Sequence, residues 1–95
     1  MPTLRIEHSA PDYDAWKASF DSDPLDRKGS GVRSYRVMRA ADDPNYVMVD
    51  LEFESHAEAE ALLAELHKLW DRVQAAGLIG SPAGRILDAV ETVDL

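Results

Sequence analysis

The sequence predicts an α+β domain in which two β-α-β units are joined by a hairpin, and two features carry this prediction. Apolar and polar residues alternate strictly from Tyr46 to Phe53, which is the pattern of a strand with one buried face. Ser55 and Glu58 then form a capping box ahead of a long amphipathic helix. With the elements on either side, the predicted order is β-α-β-β-α-β.

The first half of the chain predicts a strand, an aromatic helix and one arm of the hairpin. Thr3 to Ser9 alternate as a first strand, and Pro11 suits the first turn of the helix that follows. Tyr13, Trp16, Lys17 and Phe20 recur at helical spacing, so the helix presents one largely aromatic face. A polar connection with Asp23-Pro24 and Gly29-Ser30-Gly31 leads to a second strand from Val32 to Ala40, and we expect this connection to be the most mobile loop.

The second half predicts the other arm of the hairpin, the long helix and a last strand. Asp42-Asp43-Pro44-Asn45 is typical of a turn, and Gly77 is placed to end the helix. The apolar face of the helix consists of Ala59, Leu62, Leu63, Leu66, Leu69, Trp70 and Val73. A loop from Leu78 to Gly84 precedes a last strand from Arg85 to Asp94. No linker divides the chain, so residues 1–95 are predicted to form a single domain.

This order of elements is that of the ferredoxin-like split motif, a four-stranded antiparallel sheet with two helices on one face. We expect the helices to cover Leu4, Ile6, Val47, Val49, Leu51 and Phe53. The opposite face, called the open face below, would present Arg5, Glu7, Ser34, Arg36, Met38, Tyr46, Met48, Asp50 and Glu52. Tyr and Met among charged residues predict that a second subunit covers this face, which makes the protein a homodimer.

Size and charge exclude several classes of function. A chain of 95 residues buries a modest core, so a large ligand pocket would have to be shared between subunits. The formal charge of −8, from 18 acidic and 10 basic residues, argues against nucleic acid and anionic membranes as partners. The absence of cysteine excludes disulfides and thiolate sites. No segment approaches the roughly 20 apolar residues of a membrane span, so we expect a cytoplasmic protein.

Short motifs along nearly the whole chain carry a resemblance to a known group of proteins. They are Asp12-Tyr13-Asp14-Ala15-Trp16-Lys17 with Phe20-Asp21, then Gly31-Val32, Asp42-Asp43-Pro44-Asn45, Phe53-Glu54-Ser55 with Ala59, and Ala76-Gly77. In order and spacing they resemble the dimeric α/β-barrel superfamily, in particular antibiotic-biosynthesis monooxygenases and small cyclase-like proteins. The resemblance implies two sheets packed face to face around an interior that can hold an aromatic or polyketide-like molecule. It also implies that oxygenation can proceed without a cofactor.

Two groups of residues are candidates for the site. His8 is the candidate for proton transfer, as a general base that titrates in the useful range, although its alternation with Leu4 and Ile6 directs it toward the helices. Carboxylates on the first and third strands would lie near it. The ligand-binding candidates inside a two-subunit barrel are Arg5, Glu7, Arg36, Tyr46, Asp50 and Glu52. The alternative is that the charged members form ion pairs across a subunit interface and that Tyr46 packs there.

Haem, metal and aromatic-cage chemistry are weaker interpretations. Haem degradation in the superfamily uses an Asn, a Trp and a His, and only His67 lies near a matching position. His56 and Glu60 have helical i,i+4 spacing, but His67 is about 10 Å beyond Glu60, so no metal site is predicted. Trp16 and Trp70 fall on apolar helix faces and are assigned to the core. No cofactor is predicted.

Two functions therefore stay open. The first is a homodimer that binds a small aromatic or polyketide-like molecule, with cofactor-independent monooxygenase or cyclase activity implied by the resemblance. The second is a non-catalytic dimerisation or ligand-sensing module, in which the polar open face specifies pairing.

Overall fold

A computed structural model describes residues 1–95, and it confirms the predicted order of elements. The elements are β1 (Thr3–Ser9), α1 (Tyr13–Asp21), β2 (Ser34–Ala40), β3 (Asp43–Glu52), α2 (His56–Ala75) and β4 (Ala83–Leu87). The four strands form one antiparallel sheet in the order β2-β3-β1-β4. This is the ferredoxin-like arrangement that the sequence predicts.

The core lies between the sheet and the helices, on the face that alternation predicts. Leu4, Val47 and Phe53 have no exposed surface, and Val49 and Leu51 are buried beside them. From the other side α2 contributes its predicted face, with Ala59, Leu62, Leu66 and Trp70 buried. Ser55 caps this helix through a hydrogen bond from the Glu58 backbone N–H, and Gly77 follows its end at a φ of 77°.

A glycine on β4 sets how closely α2 approaches the sheet. A Cβ atom at Gly84 would lie 2.6 Å from Cδ1 of Leu63 and 3.0 Å from the ring of Trp70. Because Gly84 is paired with Ile6, it faces the helices, and its missing side chain makes room for the indole. Neither helix of the structure combines the length and apolar character required to cross a bilayer.

The predicted ends of the first helix and of the hairpin arms are wrong by a few residues. Asp12 is the cap of α1 and accepts a hydrogen bond from the Ala15 N–H, so Pro11 precedes the helix. The hairpin turn is shorter than predicted, because Ala40 pairs directly with Asp43 and β3 begins there instead of at Tyr46. At the other end, β2 begins at Ser34 instead of Val32.

The last strand also differs from the prediction of Arg85 to Asp94. It runs from Ala83 to Leu87, so Gly84 belongs to the strand and not to the preceding loop. Leu87 is paired with Thr3, which is the first residue of β1. Pro2 comes before Thr3 and has no N–H to donate to a strand ladder, so the pairing with β4 does not extend past Thr3. Residues 88–95 form no strand.

Candidate functional site

The candidate site is a cavity of about 90 Å³ between the helices and the sheet of the chain. Its lining is mostly apolar, and the polar exceptions are His8, Ser19, Asp23 and Arg27. The apolar part comes from every layer of the fold: Ile6, Val49 and Leu51 on the sheet, Trp16 and Phe20 on α1, Leu25 on the loop, and Leu62, Leu66, Leu69, Trp70, Val73, Leu78 and Ile79 on and after α2. Polar groups therefore enter an apolar space at only a few points.

His8 is the polar group that β1 contributes to this cavity. Its side chain is 2% exposed, and Nδ1 lies 2.9 Å from the Ser9 carbonyl oxygen. That carbonyl accepts only if Nδ1 carries the proton, so Nε2 holds the lone pair of the neutral ring. Nε2 has no hydrogen-bond partner in the protein, and no buried side-chain nitrogen or oxygen is left unpartnered, so Nε2 keeps access to open space.

Burial lowers the pKa of His8 below its ordinary value of 6.5, and the hydrogen bond to Ser9 opposes this effect only in part. The imidazole is therefore neutral at pH 7. A neutral imidazole with a free Nε2 is a hydrogen-bond acceptor and a base.

The aromatic face of α1 forms one wall of the cavity. The ring of Trp16 contacts the ring of His8 edge-on, with centroids 5.4 Å apart, and the ring of Phe20 on its other side at 5.3 Å. The i,i+4 spacing of Trp16 and Phe20 produces this contact within the helix. A planar ligand would therefore meet aromatic surface from His8 to the end of α1.

The loop after α1 packs against Phe20, at the end of the aromatic surface far from His8. Arg27 lies over the ring of Phe20, with Cζ 4.0 Å from the ring centroid, and its Nη1 donates to the Phe20 carbonyl at 2.7 Å. The loop turns sharply before it, because Asp23 has a φ of 55°, a conformation that Asp tolerates better than most residues. The Asp23 carboxylate accepts a hydrogen bond from the Arg27 backbone N–H at 2.9 Å. His8 and Arg27 thus stand at the two ends of the Trp16–Phe20 wall.

The open face holds a different kind of site. Asp50 accepts hydrogen bonds from Nε and Nη2 of Arg5 at 2.8 and 2.9 Å, and Nη2 of Arg36 lies 3.8 Å away. These hydrogen bonds from Arg5 hold the pKa of Asp50 below its ordinary value, against the opposing effect of burial. The same pair raises the pKa of Arg5. The Asp50 side chain is 7% exposed because its two neighbours cover it.

The structure places all of the predicted ligand-binding residues on the open face, but only some of them meet. Arg5, Asp50 and Arg36 are cross-strand neighbours in one row. Glu52 accepts a hydrogen bond from Oγ1 of Thr3, while Glu7 and Tyr46 are half-buried elsewhere on this face. Their proposed role toward a ligand stays a prediction.

His8 is separated from all of these residues, because it lies on the helix side of the sheet. The expected grouping of His8 with Glu7, Asp50 and Glu52 is therefore wrong, since residues one apart on a strand point to opposite faces. The cavity within the single chain and the place of Arg27 in its lining were not predicted. The aromatic face of α1 was the available signal, but its Trp16 was assigned to the core together with Trp70.

Fold and cavity together define a ferredoxin-like domain with a mostly apolar cavity between its helices and its sheet. No protein-family model matches the sequence, and no curated protein matches it significantly. Among solved structures, several significant matches are antibiotic biosynthesis monooxygenase-like proteins of this fold. The expected resemblance is thus confirmed at the level of the fold.

Three of the similar structures illustrate the likeness. Rv0793 from Mycobacterium tuberculosis is 21% identical, with a TM-score of 0.66, and the alignment covers 99% of this chain and 100% of that chain. SnoaB, a cofactor-independent oxygenase from Streptomyces nogalater, is 14% identical with a TM-score of 0.74, covering 97% and 95%. A dimeric ferredoxin-like protein from an uncultured marine organism is 16% identical with a TM-score of 0.64, covering 97% and 96%.

Proposed function

We propose that the chain binds a small aromatic molecule in the cavity and that His8 removes a proton from its hydroxyl group. The observation that carries the proposal is the unpartnered Nε2 of a histidine that is 2% exposed and lines a mostly apolar cavity. Because Nε2 opens onto this space without a protein partner, a ligand hydroxyl there can donate the hydrogen bond that the ring otherwise lacks.

Volume limits the ligand to one ring. An engineered protein cavity that binds benzene measures about 150 Å³, which is larger than the 90 Å³ found here. A fused polyketide-like ring system would therefore need a large movement of the helices. A single ring needs only that part of the molecule extends beyond the cavity or that the loop after α1 shifts slightly.

Proton removal would prepare such a ligand for oxygenation. A phenol hydroxyl has a pKa near 10, above that of His8, so the phenol stays protonated in the resting complex. The hydrogen bond to Nε2 lets His8 accept the proton as the electron pair of the oxygen moves through the ring carbons toward the oxidant. Dioxygen, as the co-reactant, adds to a ring carbon, and the resulting peroxide anion takes back the proton from His8. Loss of one water from this hydroperoxide leaves a quinone and restores neutral His8. The similarity to SnoaB, a cofactor-independent oxygenase, supports this reaction class. Proton removal from carbon would equally begin a cyclisation.

Binding and turnover can be tested separately with 4-ethylphenol. We expect the wild-type protein to gain thermal stability from this ligand, because a ligand that binds only the folded state must stabilise it. In an oxygen electrode we expect slow oxygen uptake that the variant His8→Gln abolishes while it still binds the phenol.

The variant His67→Gln is the matched control, since it makes the same chemical change at an exposed histidine that does not line the cavity and only meets the outer edge of Trp70. We expect it to behave as wild type. No thermal shift with 4-ethylphenol or with related hydroxylated aromatics would contradict the binding proposal. Equal oxygen uptake by wild type and His8→Gln would contradict the role of His8.

We also propose that the open face forms a homodimer with a second copy of this chain. Three basic residues on it, Arg5, Arg36 and Arg85, balance three acidic ones, Glu7, Asp50 and Glu52, although the whole chain carries a formal charge of −8. Two copies can therefore approach through this face with the least repulsion, and a two-fold axis would set unlike charges opposite each other. A similar structure described as dimeric supports the proposal.

The oligomeric state of two charge-reversal variants, measured by analytical ultracentrifugation, distinguishes a dimer interface from a ligand site on the same face. We expect Arg36→Glu to weaken the dimer strongly, because it adds a carboxylate beside Asp50. Lys68→Glu, on the exposed side of α2, is the control and should leave the dimer intact. An intact dimer in both variants would instead favour a role for Arg36 toward a ligand. A module whose only function is pairing would lose the dimer in Arg36→Glu but would bind no phenol.

A further inference from the structure

A second depression, called the outer groove here, adjoins the cavity on the solvent side of the loop after α1. Its volume is about 450 Å³, and it is lined by Asp23, Arg27, Lys28, Val32, Arg33, Ser34 and Tyr35. Asp23 and Arg27 also line the cavity, so the two spaces share a wall. The Arg27 guanidinium therefore borders both spaces, and a ligand that occupies both would contact it.

The outer groove reverses the sign of charge that prevails in this chain. Acidic residues outnumber basic ones 18 to 10 overall, yet the groove is lined by three cationic side chains and one carboxylate. Arg33 is paired with Glu54 at 3.0 Å, whereas Lys28 is exposed and makes no ion pair. Even with Glu54 counted, the groove keeps a positive balance. A local positive field on an acidic protein attracts small anions.

Arg27 is held in a fixed orientation at the shared wall. Its guanidinium carbon lies 4.0 Å from the ring centroid of Phe20 and 4.9 Å from that of Tyr35, and its side chain is only 17% exposed. Nη1 donates to the Phe20 carbonyl and Nε lies 3.5 Å from the Asp23 carboxylate. Nη2 has no partner in the protein, so a rigid, partly desolvated donor is free to receive a ligand oxygen.

The cavity and the outer groove together are therefore polar at both ends and aromatic between them. At one end His8 offers an acceptor, in the middle stand the rings of Trp16 and Phe20, and at the other end Arg27 offers a donor with a positive charge. The cavity alone is smaller than a benzene site, so a ligand must extend out of it. If the ligand carries an anionic group, that group would extend toward the positive charges of Arg27 and Lys28.

We propose that the ligand is an aromatic carboxylate, with its hydroxylated ring in the cavity and its carboxylate in the outer groove against Arg27 and Lys28. The planar guanidinium suits a carboxylate, and Lys28 adds a mobile positive charge. This inference rests on the proposed function, because it assigns the second half of the same ligand. It names a feature of the ligand that the cavity alone does not determine.

The test compares 3-(4-hydroxyphenyl)propanoate with its neutral amide, 3-(4-hydroxyphenyl)propanamide, which has the same ring, linker and shape. Calorimetric titration at pH 7.5 should show the carboxylate binding roughly tenfold more tightly than the amide at about 20 mM salt. The preference should shrink at about 500 mM salt, because the interaction is electrostatic.

Charge-removing variants locate the effect. Lys28→Gln changes an exposed side chain without an ion pair, so the fold should tolerate it, and we expect it to reduce the preference for the carboxylate several-fold while amide binding stays unchanged. Arg27→Gln should remove the preference entirely. Lys68→Gln makes the same change as Lys28→Gln far from the groove and should preserve the preference.

Each outcome separates this inference from the proposal on which it rests. Equal binding of the carboxylate and the amide by wild type would overturn the anion site and leave ring binding in the cavity intact. A carboxylate preference that Lys28→Gln and Lys68→Gln reduce equally would also overturn it, since only the net charge of the chain would then matter. No binding of either molecule up to about 1 mM would overturn the proposed function and this inference with it.

Discussion

The two faces of the sheet treat polar groups in opposite ways. On the open face the carboxylate of Asp50 is held by Arg5 and approached by Arg36, so the charged groups satisfy one another. On the helix side β1 presents one polar side chain, His8, and its Nε2 has no partner in the protein. Both faces are built from the same strands, and their residues alternate one by one along the chain.

This difference separates what stabilises the fold from what is available to a ligand. Apolar burial on the helix side supplies most of the stability, since hydrophobic transfer is the largest favourable contribution to folding. Polar pairs on the open face contribute little in a single subunit because Arg5 and Arg36 are 44% and 72% exposed. The Nε2 atom of His8 lacks a protein partner but opens onto the cavity, so it is the polar atom on this side of the sheet that a ligand can reach.

The largest predicted effect is a difference in stability between substitutions on the two faces of β3. Leu51 is 2% exposed on the helix side, and Leu51→Ala should lower the free energy of unfolding by about 2 to 5 kcal/mol. Met48, half-buried on the open face, is the matched control, and Met48→Ala should cost a single subunit less than about 1 kcal/mol. Urea denaturation followed by circular dichroism measures both.

The dependence of these stability losses on protein concentration shows whether a second copy covers the open face. If the open face pairs with a partner, the loss from Met48→Ala grows with protein concentration, because dimer formation adds to apparent stability. A loss from Met48→Ala as large as that from Leu51→Ala at low concentration would contradict the assignment of stability to the helix side alone.

A smaller effect is predicted at Asp50 on the open face. Arg5 lowers the pKa of this carboxyl below 3.8, so the ionised form favours the folded state. The resulting stability is fully present above pH 3.8 and is lost as the pH falls through the lowered pKa. Asp50→Asn should cost about 1 kcal/mol at pH 7, a figure reduced by the exposure of Arg5, and should flatten the acid branch of the stability curve. An unchanged acid branch in Asp50→Asn would show that the pair does not hold that pKa down.

Much of the fold could be predicted because its strand alternation and helix-capping patterns are regular and depend only on residues close together in sequence. Strict alternation in β3 and the capping box at Ser55 are set by side-chain chemistry within a few residues, and the structure confirms both. The ends of the strands could not be predicted in this way. Leu87 ends β4 because its partner Thr3 is the first residue of β1, and that fact depends on register, which no local pattern encodes.

The candidate site was predictable only in part, for a related reason. His8 was identified by residue type, and its side of the sheet follows from alternation, but the cavity beside it depends on how α1 and the following loop leave the sheet. Arg27 stood in a polar run with no pattern to distinguish it from its neighbours. Its importance comes from the rings of Phe20 and Tyr35, which only the folded chain brings to it.

The smallest predicted effect is a pH dependence of stability from His8 on the helix side, which lies in a different pH range from that of Asp50 on the open face. Burial lowers the pKa of His8 below 6.5, so the unfolded chain binds that proton more tightly than the folded one. Stability contributed by neutral His8 is therefore complete above pH 6.5, falls as the pH drops through the lowered pKa, and then levels off. His8→Gln should remove this slope, whereas His67→Gln, which leaves His8 in place, should keep it. Urea midpoints measured from pH 8 to pH 3 would show the His8 step above the Asp50 step, and an NMR titration in which His8 gains its proton above pH 6.5 would contradict the burial argument, because desolvation of an imidazole can only disfavour its charged form.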